Sequence, residues 1–307
     1  MQTEKSGVLW VVGSFLIWGI MPIYWKHLEH VQSDEILTGR IMWAFFSTLL
    51  VILILRNGHQ LLLDIQELWK KQSQFWSLFI ASVLVTSNWF IYIWSVNNDY
   101  IVQTSLGYYI NPLVSVLLGI FFLKEKLTTA QKIAFLLATL GVVVMTVSYG
   151  QFPWIALSLA ITFAVYGFIK KRIQLDSLRG LAIETLFMTP FAIGYYIWLF
   201  AKGQAVFLHS DLKTDILLIL TGIATALPLV MYAKGVQQIP LYVSGFIQYI
   251  APTMMLFLGV VVYKESFGSI ELLSFSMIWG ALIIFTISKI YESILTKRNA
   301  QWKTEVK

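Results

Sequence analysis

Charged side chains are scarce inside the apolar stretches of this 307-residue chain: Arg40 and Glu184 lie within such stretches, and Glu35, Glu125 and Glu265 sit at their ends. A charge surrounded by apolar sequence is costly unless it is paired or turned toward water, so these residues are candidates for a charge pair, a coupling site or a polar pathway. Glu35 and Glu184 each fall early in the second apolar stretch of their half of the chain, which makes them candidate repeat partners. Arg40 lies about 7.5 Å further along a helix than Glu35, at 1.5 Å per residue. That depth is shallow enough for its side chain to snorkel outward. The pairs Lys124-Glu125 and Lys264-Glu265 close their apolar stretches and read as polar caps at helix ends.

A second group of candidates comes from a repeated stretch. LGYYINPLVSVLLGIFFLKE (Leu106–Glu125) and FIQYIAPTMMLFLGVVVYKE (Phe246–Glu265) align without a gap at an offset of 140 residues. Tyr109, Ile110, Pro112, Leu118, Gly119, Lys124 and Glu125 meet Tyr249, Ile250, Pro252, Leu258, Gly259, Lys264 and Glu265. A central proline, a glycine seven residues on and a terminal Lys-Glu do not recur together through composition alone. Each proline lacks an N–H, so the carbonyl of Tyr108 in one stretch and of Gln248 in the other loses its helical partner. Such a proline either simply kinks its helix or frees a carbonyl to face a ligand. Helices broken at matching positions of two repeats favour the second reading, because transporter sites are built that way. Asn88, Tyr92, Asn111 and Gln248 lie at similar depth, with Trp18, Trp89, Tyr108, Tyr109, Tyr166 and Tyr249. Amides and aromatics together suit a polar organic substrate with an apolar body. They serve equally for hydrogen bonds between helices and for interfacial anchoring.

Some chemistries lack their reactive groups. There is no G-x-x-x-x-G-K-[ST] phosphate loop, no cysteine, and no aspartate well inside an apolar stretch, Asp215 falling at the very start of one. His27, His30, His59 and His209 fall in connections without metal-ligand spacing, and no lysine falls in the middle of an apolar stretch. The expectation is a protein that is not an enzyme and uses no cofactor, metal or nucleic acid.

The elements that must position these residues follow from composition. Hydrophobic residues make up 58% of the chain and charged residues 12%, against about a quarter charged in soluble domains. Ten apolar runs, each long enough to cross roughly 30 Å of hydrocarbon as a helix, cover approximately 7–26, 35–55, 75–95, 101–123, 130–148, 152–169, 180–200, 214–233, 241–263 and 270–289. The apolar start is followed by no small-residue cleavage site and reads as a first span. With a cytoplasmic N-terminus, seventeen of the 22 Lys and Arg fall on the inner side and four on the outer, Arg40 lying within a span. Both termini are therefore expected in the cytoplasm. Five spans per half is an odd number, so the second half enters the membrane inverted relative to the first, a plan that recurs among transporters. The fold expected is an all-α integral membrane protein of ten transmembrane helices in two inverted five-helix repeats. These are residues 1–150 and 151–290, with a cytoplasmic tail at 291–307.

The runs IWGIMPIYWK (Ile17–Lys26), DEILTGR (Asp34–Arg40), NWFIYIWSVNN (Asn88–Asn98), SLGYYINPL (Ser105–Leu113), IETL (Ile183–Leu186) and FIQYIAPT (Phe246–Thr253) resemble RarD-type proteins of the EamA family, in the drug/metabolite transporter superfamily. The resemblance runs over nearly the whole chain. It implies a duplicated five-helix unit and a secondary carrier in the bacterial plasma membrane. Gly39 departs from it, standing where a histidine is expected before the arginine, so no proton relay is carried over to that position. The reading is an exporter of a small polar or amphipathic metabolite or drug, working by alternating access; its rival is a non-transporting membrane scaffold or sensor. The expected substrate site is Asn88, Tyr92, Tyr108, Asn111, Pro112, Gln248, Tyr249 and Pro252, with Glu35, Arg40 and Glu184 as coupling or charge-pair residues.

Overall fold

A backbone inside hydrocarbon must satisfy its own N–H and C=O groups, and a sequence with ten long apolar runs does so as helices. The computed structural model describes residues 2–98, 100–262 and 268–305, and among these every regular element is helical. Ten helical segments are long and apolar enough to cross a membrane. The first half holds α1 (Gln2–Lys26), α2 (Ser33–Ile54), α3 (Gly58–Lys70), α4 (Gln72–Asn97), α5 (Ile101–Leu123) and α6 (Thr129–Tyr149). The second holds α7 (Trp154–Arg172), α8 (Ser177–Lys202), α9 (Leu212–Val236), α10 (Leu241–Gln248), α11 (Ile250–Phe257), a π-helical turn (Leu258–Val262) and α12 (Ser269–Glu305).

Three elements differ from the sequence reading. The polar connection after α2 contains α3, an amphipathic helix that is too polar to span. Its Leu61, Ile65 and Leu68, at i, i+4 and i+7, pack on Leu78, Ile173 and Ile183, while Glu67 and Lys70 are exposed and Asp64 pairs with Arg179 of α8. The ninth span is not one helix, since α10 stops at Gln248 and α11 resumes at Ile250. The segment 291–307, read as a tail, continues α12 as helix to Glu305. The Lys264-Glu265 pair lies outside the described residues.

The packing follows a pairwise scheme. α1 lies against α9 and α11, and α7 against α4 and α5; α2 meets α8 and α9, and α8 meets α2 and α4; α5 packs on α10, and α6 on α12. Exchanging α1 with α7, α2 with α8, α4 with α9, α5 with α10–α11, and α6 with α12 leaves this set of neighbours unchanged. Close approach is bought with small residues. A Cβ on Gly222 would overlap the backbone of Trp43, and one on Gly235 would lie 2.7 Å from the Gly7 carbonyl oxygen, so α2–α9 and α1–α9 touch through their backbones. Large side chains such as Leu50, Phe121, Leu136, Phe191 and Ile283 remain on the outside, where lipid is their solvent. Between the halves, Thr128 and Gln131 form a capping box that starts α6, and Gly150, at φ 74°, ends it. That left-handed conformation is one glycine adopts without a Cβ penalty.

Candidate functional site

Aromatic residues recur along one face of α1. Phe15, Trp18, Pro22 and Trp25 follow one another at spacings of three and four, the repeat that aligns side chains on a helix. This face does not close on its neighbours. Between α1, α2, α4, α5, α7, α9 and α10–α11 lies a cavity of about 110 Å³. One water needs only about 10–15 Å³ by such a measure, so the space can hold a small organic molecule. Its walls include Asn88, Tyr92, Tyr108, Asn111, Gln248 and Pro252 of the expected substrate site, with Trp18, Trp89 and Arg40, the last expected instead as a coupling or charge-pair residue.

Arg40 dominates the site. It is only 9% exposed, and its Nε donates to Thr225 Oγ1 at 3.1 Å. The guanidinium lies between two indoles, 4.8 Å from the centroid of Trp25 and 4.7 Å from that of Trp89. Tyr24, Tyr92 and Tyr108 stand close enough for their hydroxyls to interact with its charge. The expected outward snorkelling is therefore not what happens. Depth along α2 would allow it, but α2 turns this position inward, where the two indole faces and a hydroxyl stabilise the cation. Nor does Arg40 pair with Glu35; among the described residues no carboxylate lies within 4 Å of it.

The amides divide into fastened and free groups. Asn88 Nδ2 donates to the Leu159 carbonyl and to Thr162 Oγ1, both at 2.9 Å, tying α4 to α7 at the cavity wall. Asn111 Nδ2 donates to Gln248 Oε1 at 2.7 Å, and Gln248 Nε2 donates to Ser115 Oγ at 3.2 Å, a chain that crosses between the halves. This orientation leaves Asn111 Oδ1 buried without a partner among the described residues. The rings of Tyr92 and Tyr108 meet edge to face at 5.9 Å.

Pro112 and Tyr249 are buried but do not line the cavity. They belong instead to the α5–α10 contact, where a Cβ on Gly245 would meet the Pro112 carbonyl oxygen at 2.8 Å. The Tyr249 hydroxyl donates to the Tyr109 carbonyl at 3.3 Å and the Tyr109 hydroxyl to the Pro252 carbonyl at 3.4 Å. The matched prolines also act differently. α5 runs through Pro112 without interruption, whereas the helix breaks at Tyr249, three residues before Pro252. The expectation of two broken helices holds for one of them.

The carboxylates lie elsewhere and are occupied. Glu35 accepts from the N–H groups of Val206 (3.0 Å) and Phe207 (2.8 Å), holding the α8–α9 connection. Glu125 accepts from Leu241 (2.7 Å) and Tyr242 (2.9 Å), capping α10 from the end of α5. Glu184 is 2.5 Å from Lys170 Nζ and accepts from the Tyr166 hydroxyl at 3.3 Å, with both charged side chains 1% exposed. Lys170, one residue beyond the apolar run 152–169, occupies the last turn of α7 and is buried. Glu35 and Glu184 therefore do not play equivalent parts, one binding loop N–H groups and the other a lysine.

The sequence profile described as the EamA-like transporter family matches this chain twice, at residues 5–147 and 153–287. The chain belongs to that family. A Bacillus subtilis (strain 168) protein named uncharacterized transporter YojE is 46% identical over 93% of this chain and 95% of its own length. The protein RarD of Escherichia coli (strain K12) is 38% identical over 97% of this chain and 99% of its own. A solved crystal structure superposes with a TM-score of 0.69 at 16% identity, covering 92% of this chain and 97% of that one, which shows the shared fold. This EamA-family chain is thus a multi-pass inner-membrane transporter of the drug/metabolite type, as the resemblance implied. Its cavity takes walls from both matched segments: Arg40, Trp89 and Asn111 from the first, Phe163, Gln248 and Met255 from the second.

The sequence reading missed Trp25, Phe15, Met21, Phe163 and Met255 as cavity residues. The α1 stripe was visible in spacing. What could not be read was whether that face met another helix or an empty space.

Proposed function

We propose that this protein is a secondary carrier that exports a small polar or amphipathic metabolite or drug by alternating access, with residues 1–150 and 151–290 as two inverted repeats that move against each other. One observation carries the proposal: a cavity at the junction of the halves, walled by both, among helices whose main pairings map onto one another when the halves are exchanged. Two interchangeable halves are what alternating access needs and what a scaffold does not. The distribution of Lys and Arg supports cytoplasmic termini. In this reading Arg40, Asn88, Tyr92, Tyr108, Asn111, Gln248 and Pro252 face the substrate. Pro112 and Tyr249 support the contact on which the halves rock, and Glu35 and Glu184 hold the frame.

The test is flux. Purified protein in proteoliposomes is assayed by counterflow with a metabolite panel preselected by thermal stabilisation, and Ala251→Trp is made to fill the cavity. Saturable flux that Ala251→Trp abolishes is the expected result, and efflux exceeding uptake in oriented vesicles gives the direction. Flux untouched by the filled cavity would overturn the site. Absence of flux for every stabilising ligand would favour a sensor.

A further inference from the structure

From the same cavity, and resting on the reading of it as the substrate site, we infer the substrate's class: a small organic monoanion whose carboxylate pairs with Arg40 and whose body is apolar or aromatic. Among the described residues Arg40 is the one cationic side chain lining the cavity, and it has no carboxylate partner there. A permanently charged guanidinium buried at membrane depth is expensive to keep without a counter-charge. Elsewhere this protein meets that requirement, because the other deeply buried cation among the described residues, Lys170, has Glu184 at 2.5 Å. Arg40 has two indole faces, the Thr225 hydroxyl and three nearby tyrosine hydroxyls, all neutral groups that stabilise a cation less than an ion pair does.

The geometry specifies what completes it. Trp25 and Trp89 cover the guanidinium, and Nε is bound to Thr225, so the terminal Nη1 and Nη2 groups make no hydrogen bond to a described residue. Two parallel N–H donors in one plane match the two oxygens of a carboxylate. A phosphate monoester would bring a second charge with no cation in the lining to meet it. A neutral ligand would leave the guanidinium uncompensated. The remaining walls, Phe15, Trp18, Phe163 and Met255 among them, accept an apolar body. Asn111 Oδ1, the orphaned acceptor, takes an N–H or O–H from the ligand.

The probe is phenylacetate, compared with the neutral isostere phenylacetamide and the cation phenethylamine, each titrated into the purified full chain in detergent by calorimetry. Phenylacetate is expected to bind saturably and at least about tenfold more tightly than either comparator, the discrimination a charge-assisted pair supplies. Arg40→Met should remove that preference and Arg40→Lys should reduce it, since lysine keeps the charge without the planar fork. If the Arg40 variants do not fold, the ligand series on the unaltered protein still decides. Equal binding of phenylacetate and phenylacetamide, no binding of phenylacetate, or a preference that survives in folded Arg40→Met would each overturn the inference. Flux of neutral or cationic substrates that Ala251→Trp blocks would overturn it while leaving the carrier intact. Carboxylate binding without flux would instead leave the anion site standing and remove transport.

Discussion

At the scale of single residues, the buried charges separate into those that hold the frame and the one that faces the cavity. Lys170 and Glu184 are each 1% exposed and satisfy one another, with the Tyr166 hydroxyl completing the group. Glu184→Gln leaves a lysine buried without its counter-charge and is expected to cost about 3–5 kcal/mol, whereas a Lys170→Met/Glu184→Leu double variant should recover most of that loss. Thermal unfolding of the single and double variants in detergent checks it. A proton-coupling role for Glu184 would show instead as a folded Glu184→Gln protein with altered pH dependence of transport. Glu125 gives a second case. Its carboxylate meets two N–H groups at the start of α10, so Glu125→Leu should destabilise by about 1–3 kcal/mol, with faster amide exchange confined to Leu241 and Tyr242. Unchanged exchange at those two amides would mean that another group caps the helix.

Elements show how far a repeated sequence can diverge in conformation. Pro112 and Pro252 sit in matched stretches, yet α5 stays continuous and its counterpart is split into α10 and α11 at Tyr249. Both prolines remove one helical hydrogen bond, and the surrounding contacts decide whether the helix absorbs the gap or divides. Pro252→Ala restores a donor next to the split. It is expected to lengthen the helix through Tyr249 and remove most transport, while Pro112→Ala, in a helix already continuous, should retain it. Because the chain has no cysteine, single cysteines introduced along α11 can be labelled to follow the change. Equal loss in both variants, with identical shifts in labelling, would show that the prolines act alike despite their different helices. The amphipathic α3 and the helical continuation of α12 are elements of another kind, formed where the chain leaves the apolar spans.

For the whole molecule, orientation and symmetry are joined. The excess of Lys and Arg on one side predicts that reporter fusions after Leu175 read cytoplasmic and fusions near Gln204 read the opposite side. Both fusions reading alike would contradict the orientation and the inverted arrangement with it. The two ends of the bundle carry different bonds between helices. Lys171 Nζ donates to the carbonyls of Val236 and Ile239 at one end, and the Tyr24 hydroxyl donates to the Leu217 carbonyl at the other. A rocking carrier must break one set to expose its cavity, so Lys171→Met and Tyr24→Phe are expected to shift cysteine accessibility in opposite directions. Shifts in the same direction would argue against two gates.

Span number, helix type and internal duplication were determined by the sequence alone, because length and hydropathy fix whether a helix can cross hydrocarbon and a gapless alignment reveals a copied unit. Much of the candidate site was legible too, since buried amides and aromatics near matched prolines are rare enough to single out. Tertiary structure decided direction around each helix axis. Arg40 has the same depth whether it snorkels or turns inward, and only the placement of Trp25, Trp89 and Thr225 selects the second. The Lys170–Glu184 pair joins different helices, and Glu125 caps a helix more than a hundred residues away, so neither partner is marked by local pattern. Sequence gives depth because rise per residue is fixed; it does not give the neighbour, because that depends on how ten helices pack.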